Sequence, residues 1–148
     1  MIDNFQKFHI SLKTLIKVEK EFLLLKVSTK YKFGGRIDFP GGRVDNDENF
    51  ENVMQRELKE EINYDFDIKK LEIIAVNQRF NYGFYKENKI CLCEIIFLLN
   101  LETKPVIQIS PEHEEYYWIN SETDLNQFDY KDDNQKNLII KFQQEYCK

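Results

Sequence analysis

The sequence predicts an α/β protein, with a mixed β-sheet covered by helices. Three observations point there. Strand-like and helix-like stretches alternate irregularly along the chain. The length, 148 residues with 42% hydrophobic and 32% charged, fits one domain with a real core, spanning residues 1–148. No repeat, low-complexity tract or linker rich in Pro, Gly or Ser interrupts it.

The first strand is expected from about His9 to Val18. Lys20 and Glu21 make a tight turn, and Phe22 to Ser28 return. Leu23, Leu24 and Leu25 in succession suggest burial on both faces of that second strand. A loop follows over residues 33–43, and four of the five glycines fall inside it. Such a cluster suggests a backbone that bends sharply or approaches something closely. A helix then runs to about Ile62, with Asn49 as N-cap, Glu51 in its first turn and Asn63 in the left-handed position after its end. Leu71 to Phe80 and Lys89 to Leu99 read as two long strands, and Glu115 to Ile119 as a shorter one. Ser121 is expected to cap a turn of helix. The last helix spans about Asp132 to Tyr146, with Leu138, Ile139 and Phe142 on its apolar stripe.

Charge and cysteine usage exclude several classes. Twenty-one Lys and Arg against 26 Asp and Glu give a net charge of −5, the wrong balance for a non-specific phosphate-backbone binder. No apolar run approaches the ~20 residues of a membrane span. The N-terminus lacks the basic start and apolar stretch of a signal peptide, so a cytoplasmic location is expected. Cys91 and Cys93 share one strand face, a poor geometry for a disulfide, and no second pair or nearby His completes a zinc site. With Cys147 they read as small buried thiols.

The helix over residues 50–62 breaks the usual pattern. On a wheel, Phe50, Val53, Met54, Leu58 and Ile62 form one stripe, and Glu51, Asn52, Gln55 and Lys59 the opposite face. Glu57 and Glu61 fall inside the apolar stripe and Glu60 flanks it. Carboxylates at i, i+3 and i+4 repel one another, oppose the macrodipole in a last turn, and cost more when buried unpaired. Two compensations are open: a hard divalent cation, or Lys side chains from elsewhere.

Gly42, Glu48, Arg56, Glu57, Leu58, Glu60 and Glu61 stand at the spacing of the Nudix box, and the chain resembles that family. It departs from the box at Asn63, which replaces a late Gly, and at Tyr64, which replaces an aliphatic residue. The resemblance implies a mixed sheet sandwiched between helices. It implies a hydrolase that cleaves the diphosphate linkage of a nucleoside diphosphate derivative by attack of water at phosphorus, with Mg²⁺ or Mn²⁺ as cofactor. Glu57, Glu60 and Glu61 would be metal ligands or the base, the Gly42 carbonyl a further ligand, and Glu48 and Arg56 the brace between loop and helix. A further carboxylate is expected from residues 110–119: Glu112 first, Glu115 second. His113 is open between a catalytic role and a solvated one. The catalytic set is therefore Glu57, Glu60, Glu61, Glu112 and Arg56, and the metal set Gly42, Glu57, Glu60, Glu61 and Glu112.

Arg occurs only at 36, 43, 56 and 79. Arg36 and Arg79 are candidates to hold phosphate, with ordinary surface charge as the alternative. Phe80, Tyr82, Phe84 and Tyr85 could stack on a base or pack against the sheet. Gly41-Gly42-Arg43-Val44, Asp47-Glu48, Glu112-His113 and Tyr117-Trp118 are similar to GDP-mannose hydrolases, which attack the sugar carbon and lack part of the glutamate cluster. The complete cluster favours phosphorus. Triphosphates, nucleotide sugars and ADP-ribose all stay open, as does a sensor of the same fold without turnover. The expected partners are a small nucleotide and, at most, a second copy of the chain in a homodimer; neither a nucleic-acid polymer nor a membrane is expected.

Overall fold

The structure, a computed structural model, describes residues 4–85 and 88–148, and of residues 68, 81–85 and 88 the backbone alone. The strands are β1 (His9–Val18), β2 (Glu21–Val27), β3 (Ile37–Asp38), β4 (Gly41–Arg43), β5 (Leu71–Tyr85), β6 (Asn88–Leu101) and β7 (His113–Ile119). The helices are α1 (Phe50–Ile62) and α2 (Asp133–Tyr146). The strands form one mixed sheet in the order β3-β2-β1-β6-β5, with β4 on β1 and β7 on β2. β1 and β6 run parallel, from His9 beside Leu92 to Val18 beside Leu101, and the other pairs are antiparallel. This is the α/β class expected.

The layers follow from strand alternation. Phe22 and Leu24 face one cluster with Leu15, Ile96, Leu98, Ile139 and Phe142, which seats α2. Leu23 and Leu25 face the other with Leu12, Ile16, Leu99, Val53, Met54, Leu58 and Ile62, which seats α1. Burial on both faces of β2 is what the unbroken leucine run requires. Among the described residues no helix is long and apolar enough to cross a membrane.

The glycine-rich stretch expected as one loop contains β3 and β4. Both are too short to register as sequence periodicity, because their alternation spans two or three residues. They matter for the site because β1 divides its outer edge between two partners. Ser11 to Lys13 pair with Arg43 to Gly41, and Lys17 and Val18 pair with Phe22 and Glu21. Smaller differences are the extension of β5 to Tyr85 and a 3₁₀ turn at Leu125–Gln127 capped by Asp124 rather than Ser121. Phe50, the first residue of α1, is 42% exposed instead of joining the apolar stripe.

Asn49 caps α1 by accepting the Asn52 N–H at 2.9 Å. Asn63 lies at φ 56°, ψ 41°, and the backbone N–H groups of Asn63 and Tyr64 close the helix on Lys59 and Leu58 at 3.1 and 3.2 Å. Its side chain donates to Gln108 at 2.6 Å. Asparagine thus serves where the box has glycine. Asn63→Gly should change stability by less than about 1 kcal/mol, and Asn63→Val should cost about 1–2 kcal/mol, both read by urea unfolding.

Candidate functional site

The site is built where α1 meets β4. Gly41 has φ 143°, and a Cβ there would run into the Leu12 carbonyl oxygen. Only glycine lets β4 lie this close to β1. The Gly41 N–H then donates to Glu61 Oε2 at 3.1 Å. At Gly42 a Cβ would meet the Glu57 carboxylate, so the missing side chain is the space the carboxylate occupies. The Gly42 carbonyl accepts a long hydrogen bond from Ser11 Oγ, 3.5 Å.

Glu61 is 6% exposed. Burial pushes its carboxyl up to about 8, against the opposing pull of Lys13 and the Gly41 N–H. Glu57 is also raised by burial, with Arg56 opposing. Glu60 stays largely in solvent, 3.6 Å from Arg56 Nη1. Arg56 grips Glu48 with two parallel bonds, Nε to Oε2 at 3.0 Å and Nη2 to Oε1 at 2.8 Å, and reaches Glu57 with Nη1 at 2.9 Å. Glu48 Oε1 also accepts the Asp45 N–H at 3.2 Å, so the pair ties the loop to the helix.

Among the described residues, no three His, Cys, Asp or Glu side chains converge on one point as a ready metal cage. The donor chemistry nevertheless fits a hard cation. Two sheltered carboxylates with raised proton affinity press against a glycine cradle, and a carbonyl oxygen lies beside them.

A buried polar cluster adjoins this corner. Asp38 accepts from Lys13 Nζ at 2.9 Å, from Lys131 Nζ, from Gln135 Nε2 at 3.3 Å and from the Phe39 N–H at 2.8 Å. Burial opposes its charge, but the two ammonium groups win and hold it well below the usual carboxylate range. Lys13 is likewise desolvated, yet Asp38, Glu61 and Glu94 keep it protonated. These residues come from β1, β3, α1, β6 and the start of α2. Apart from Glu61, motif spacing does not mark them. The available signal was a charge among apolar strand residues: Lys13 after Leu12, and Glu94 beside Ile95.

Two expectations need correcting, the phosphate role of Arg79 and the solvated alternative for His113. Arg79 is not presented to a phosphate. It is 4% exposed, bonds Asp132 through Nε at 2.6 Å, and lies 3.7 Å from Glu94. Asp132 also caps α2, accepting the Gln135 N–H at 2.9 Å, so Arg79 clamps that helix to the sheet. His113 is not solvated. Burial drives it down to about 4, and its Nδ1 is buried without a hydrogen-bond partner among the described residues. Glu112 is exposed, and its carbonyl accepts the Ser28 N–H at 2.8 Å. Glu115 accepts from the Tyr117 hydroxyl at 2.6 Å. Phe80 packs edge-on against Phe8, 5.6 Å between centroids, although it stays exposed. Arg36 lies near the Phe33 ring. The side chains of Tyr82, Phe84 and Tyr85 lie outside the described residues.

The two glycines should respond differently. Gly41→Ala should destabilise by about 3 kcal/mol or more, because it strikes backbone at a left-handed position. Gly42→Ala strikes only a movable carboxylate, so the fold should survive while Glu57 is displaced; urea unfolding beside Mn²⁺ titration separates the two. The raised Glu61 carboxyl has a further consequence. Its proton stabilises the metal-free fold below the ordinary carboxylate range, and that contribution is lost as pH rises through about 8. Melts in chelator should therefore fall between about pH 5 and about pH 9, and Glu61→Gln should flatten the decline.

A NUDIX domain model matches residues 8–141. No curated protein matches the chain. Among solved structures, a MutT protein from Methanosarcina mazei Go1 is 26% identical over 95% of this chain and 96% of its own, with TM-score 0.67. The C. elegans Ap4A hydrolase in a binary complex is 24% identical over 93% and 96%, TM-score 0.64. The NUDIX domain of Shewanella oneidensis NrtR complexed with ADP ribose is 16% identical over 97% and 93%, TM-score 0.70. These last two share the fold. The matched model covers β1 through most of α2, including the glycine cradle and its carboxylates, and the chain belongs to the Nudix family.

Proposed function

We propose that the protein is a divalent-metal-dependent hydrolase of a nucleoside diphosphate derivative, with water attacking phosphorus. The observation that carries this reading is the retention of all three carboxylates, Glu57, Glu60 and Glu61, with Glu57 and Glu61 held against the Gly41–Gly42 backbone at a cost in burial. Mg²⁺ or Mn²⁺, held by Glu57, Glu60, Glu61 and the Gly42 carbonyl, would neutralise the charge that develops on the diphosphate and acidify a water. Arg56 holds Glu57 and the loop in place. Glu112, exposed just before β7, would be the further carboxylate. Lys13 supplies fixed positive charge beside Glu61. Ap4A and ADP ribose, named for two neighbours, support a small nucleotide as the substrate class.

One observation favours the alternative of attack at a sugar carbon: His113 is turned inward and kept neutral, as a base would need to be. Hydrolysis in ¹⁸O-water of a panel of nucleoside diphosphate derivatives decides between them. The label is expected in a phosphate product; label on a sugar hydroxyl would establish the other chemistry.

Chelator should abolish turnover, and Mg²⁺ or Mn²⁺ should restore it. Full activity without metal would refute the proposal. Glu60→Gln should leave the metal-free fold within a few tenths of a kcal/mol, because its ion pair with Arg56 is exposed. The same change should lower turnover by about 10²-fold or more. A strongly destabilised Glu60→Gln fold would make the residue a structural partner instead.

A further inference from the structure

A buried lysine stands beside the carboxylate corner and binds elsewhere. Lys13 on β1 pairs across the strands with Gly41 on β4, and the Gly41 N–H donates to Glu61 at 3.1 Å. Both side chains are sheltered, with Lys13 8% exposed and Glu61 6%. Of the charged groups that act on Glu61, Lys13 acts most strongly. Two buried opposite charges so placed would ordinarily close into a salt bridge, because each is costly to leave alone in a low-dielectric interior. Instead Lys13 Nζ donates to Asp38 Oδ2 at 2.9 Å. Among the described residues Glu61 accepts from the Gly41 N–H alone.

Asp38 is well satisfied without this lysine. Lys131 Nζ meets the same oxygen, Oδ2, while Gln135 Nε2 at 3.3 Å and the Phe39 N–H at 2.8 Å reach Oδ1. Two ammonium groups therefore share one carboxylate while a second carboxylate close by has none. Glu94 also acts on Lys13, but its Oε1 is taken by Asn77 at 3.2 Å and faces Arg79 at 3.7 Å. Lys131 and Gln135 come from the start of α2, so Asp38 is fixed by the helix that does not carry Glu61.

We propose that Asp38 is a positioning residue, which holds the Lys13 ammonium away from Glu61 and so keeps that carboxylate open to a divalent cation. This rests on the hydrolase reading above and deepens it. Without the Asp38 charge, Lys13 turns on its flexible four-carbon stem to Glu61 and competes with the cation for the same oxygens. With it, the ammonium stays close enough to favour the ionised carboxylate, yet Oε1, the oxygen that Gly41 does not bind, is left unbridged.

Metal affinity and metal-free stability test this separately. In calorimetric titration with Mn²⁺, Asp38→Asn should weaken binding about tenfold or more. Adding Lys13→Met to Asp38→Asn should bring the affinity back to within about threefold of Lys13→Met alone, because the competing ammonium is gone. A merely structural Asp38 gives no such recovery. Unchanged binding by Asp38→Asn, or a double variant as weak as Asp38→Asn, overturns the proposal. In chelator no cation takes part. There Glu61→Gln should lower the melting temperature by about 5 °C or more beyond its effect in the wild type when Asp38 is already Asn, because Lys13 then loses its second carboxylate. Equal shifts in the two backgrounds overturn the proposal. Should Asp38→Asn alone not fold, Asp38→Asn with Lys131→Met removes one anion and one cation together and leaves Lys13 the same choice, with Lys131→Met as the reference for both measurements. Absence of Mn²⁺ binding by the wild type would refute the hydrolase reading, while the melts in chelator would still decide whether Asp38 keeps Lys13 from Glu61.

Discussion

The hydrogen bond from the Gly41 N–H to Glu61 is the constraint on which the corner depends. It exists only because β4 runs so close to β1 that a Cβ on Gly41 would strike the Leu12 carbonyl. That closeness brings Gly42 beside Glu57 and fixes the start of the loop that Arg56 and Glu48 then tie to α1. A glycine, a backbone donor and a buried carboxylate therefore set the relative position of strand, loop and helix. The sheet contributes by dividing the outer edge of β1 between β4 and β2. Polar groups from five elements meet beside that division without interrupting either apolar cluster.

Helix α1 serves two purposes that conflict locally. Its first turns bury Val53 and Met54, and Leu58 and Ile62 continue the same seat. Its last turns place Glu57 and Glu61 against backbone, where carboxylates are disfavoured by burial and by the helix dipole. Only part of this is offset within the protein. Arg56 holds Glu57, and Lys13 acts on Glu61 while also bound to Asp38. The apolar seat of the helix, Val53, Met54, Leu58 and Ile62, is fully buried and opposes that cost. The violation is interleaved with the later anchors: Glu57 precedes Leu58 and Glu61 precedes Ile62, both fully buried.

What the sequence disclosed follows the reach of each signal. The ten residues of β1 and the capped thirteen of α1 are long enough to read directly, and the Asn63 cap was visible from its place after Ile62. The box spacing marked Glu57 and Glu61 because it records which helix positions share a side. β3 and β4 escaped because two or three residues carry no period. The role of Arg79 escaped for another reason. Its partner Asp132 is 53 residues away, and no local pattern reports a pairing that only the completed sheet creates. His113 is a similar case: an acidic flank suggested solvent, but the residue opens β7 opposite Val27 and its Nδ1 is buried.

The distribution of arginine acquires a physical reading from these contacts. Four arginines occur in the chain, against seventeen lysines. Arg56 joins Glu48 on the preceding loop and Arg79 joins Asp132 far along the chain, each through more than one nitrogen, which suits a planar fork better than a flexible ammonium. Lys13 and Lys131 act differently. Two point charges converge on one carboxylate oxygen of Asp38, where two bulky guanidinium groups would crowd. Arg36 lies against an aromatic face without a protein carboxylate among the described residues. The forks of Arg56 and Arg79 therefore join separate segments of the chain, while the ammonium groups of Lys13 and Lys131 share a single buried carboxylate.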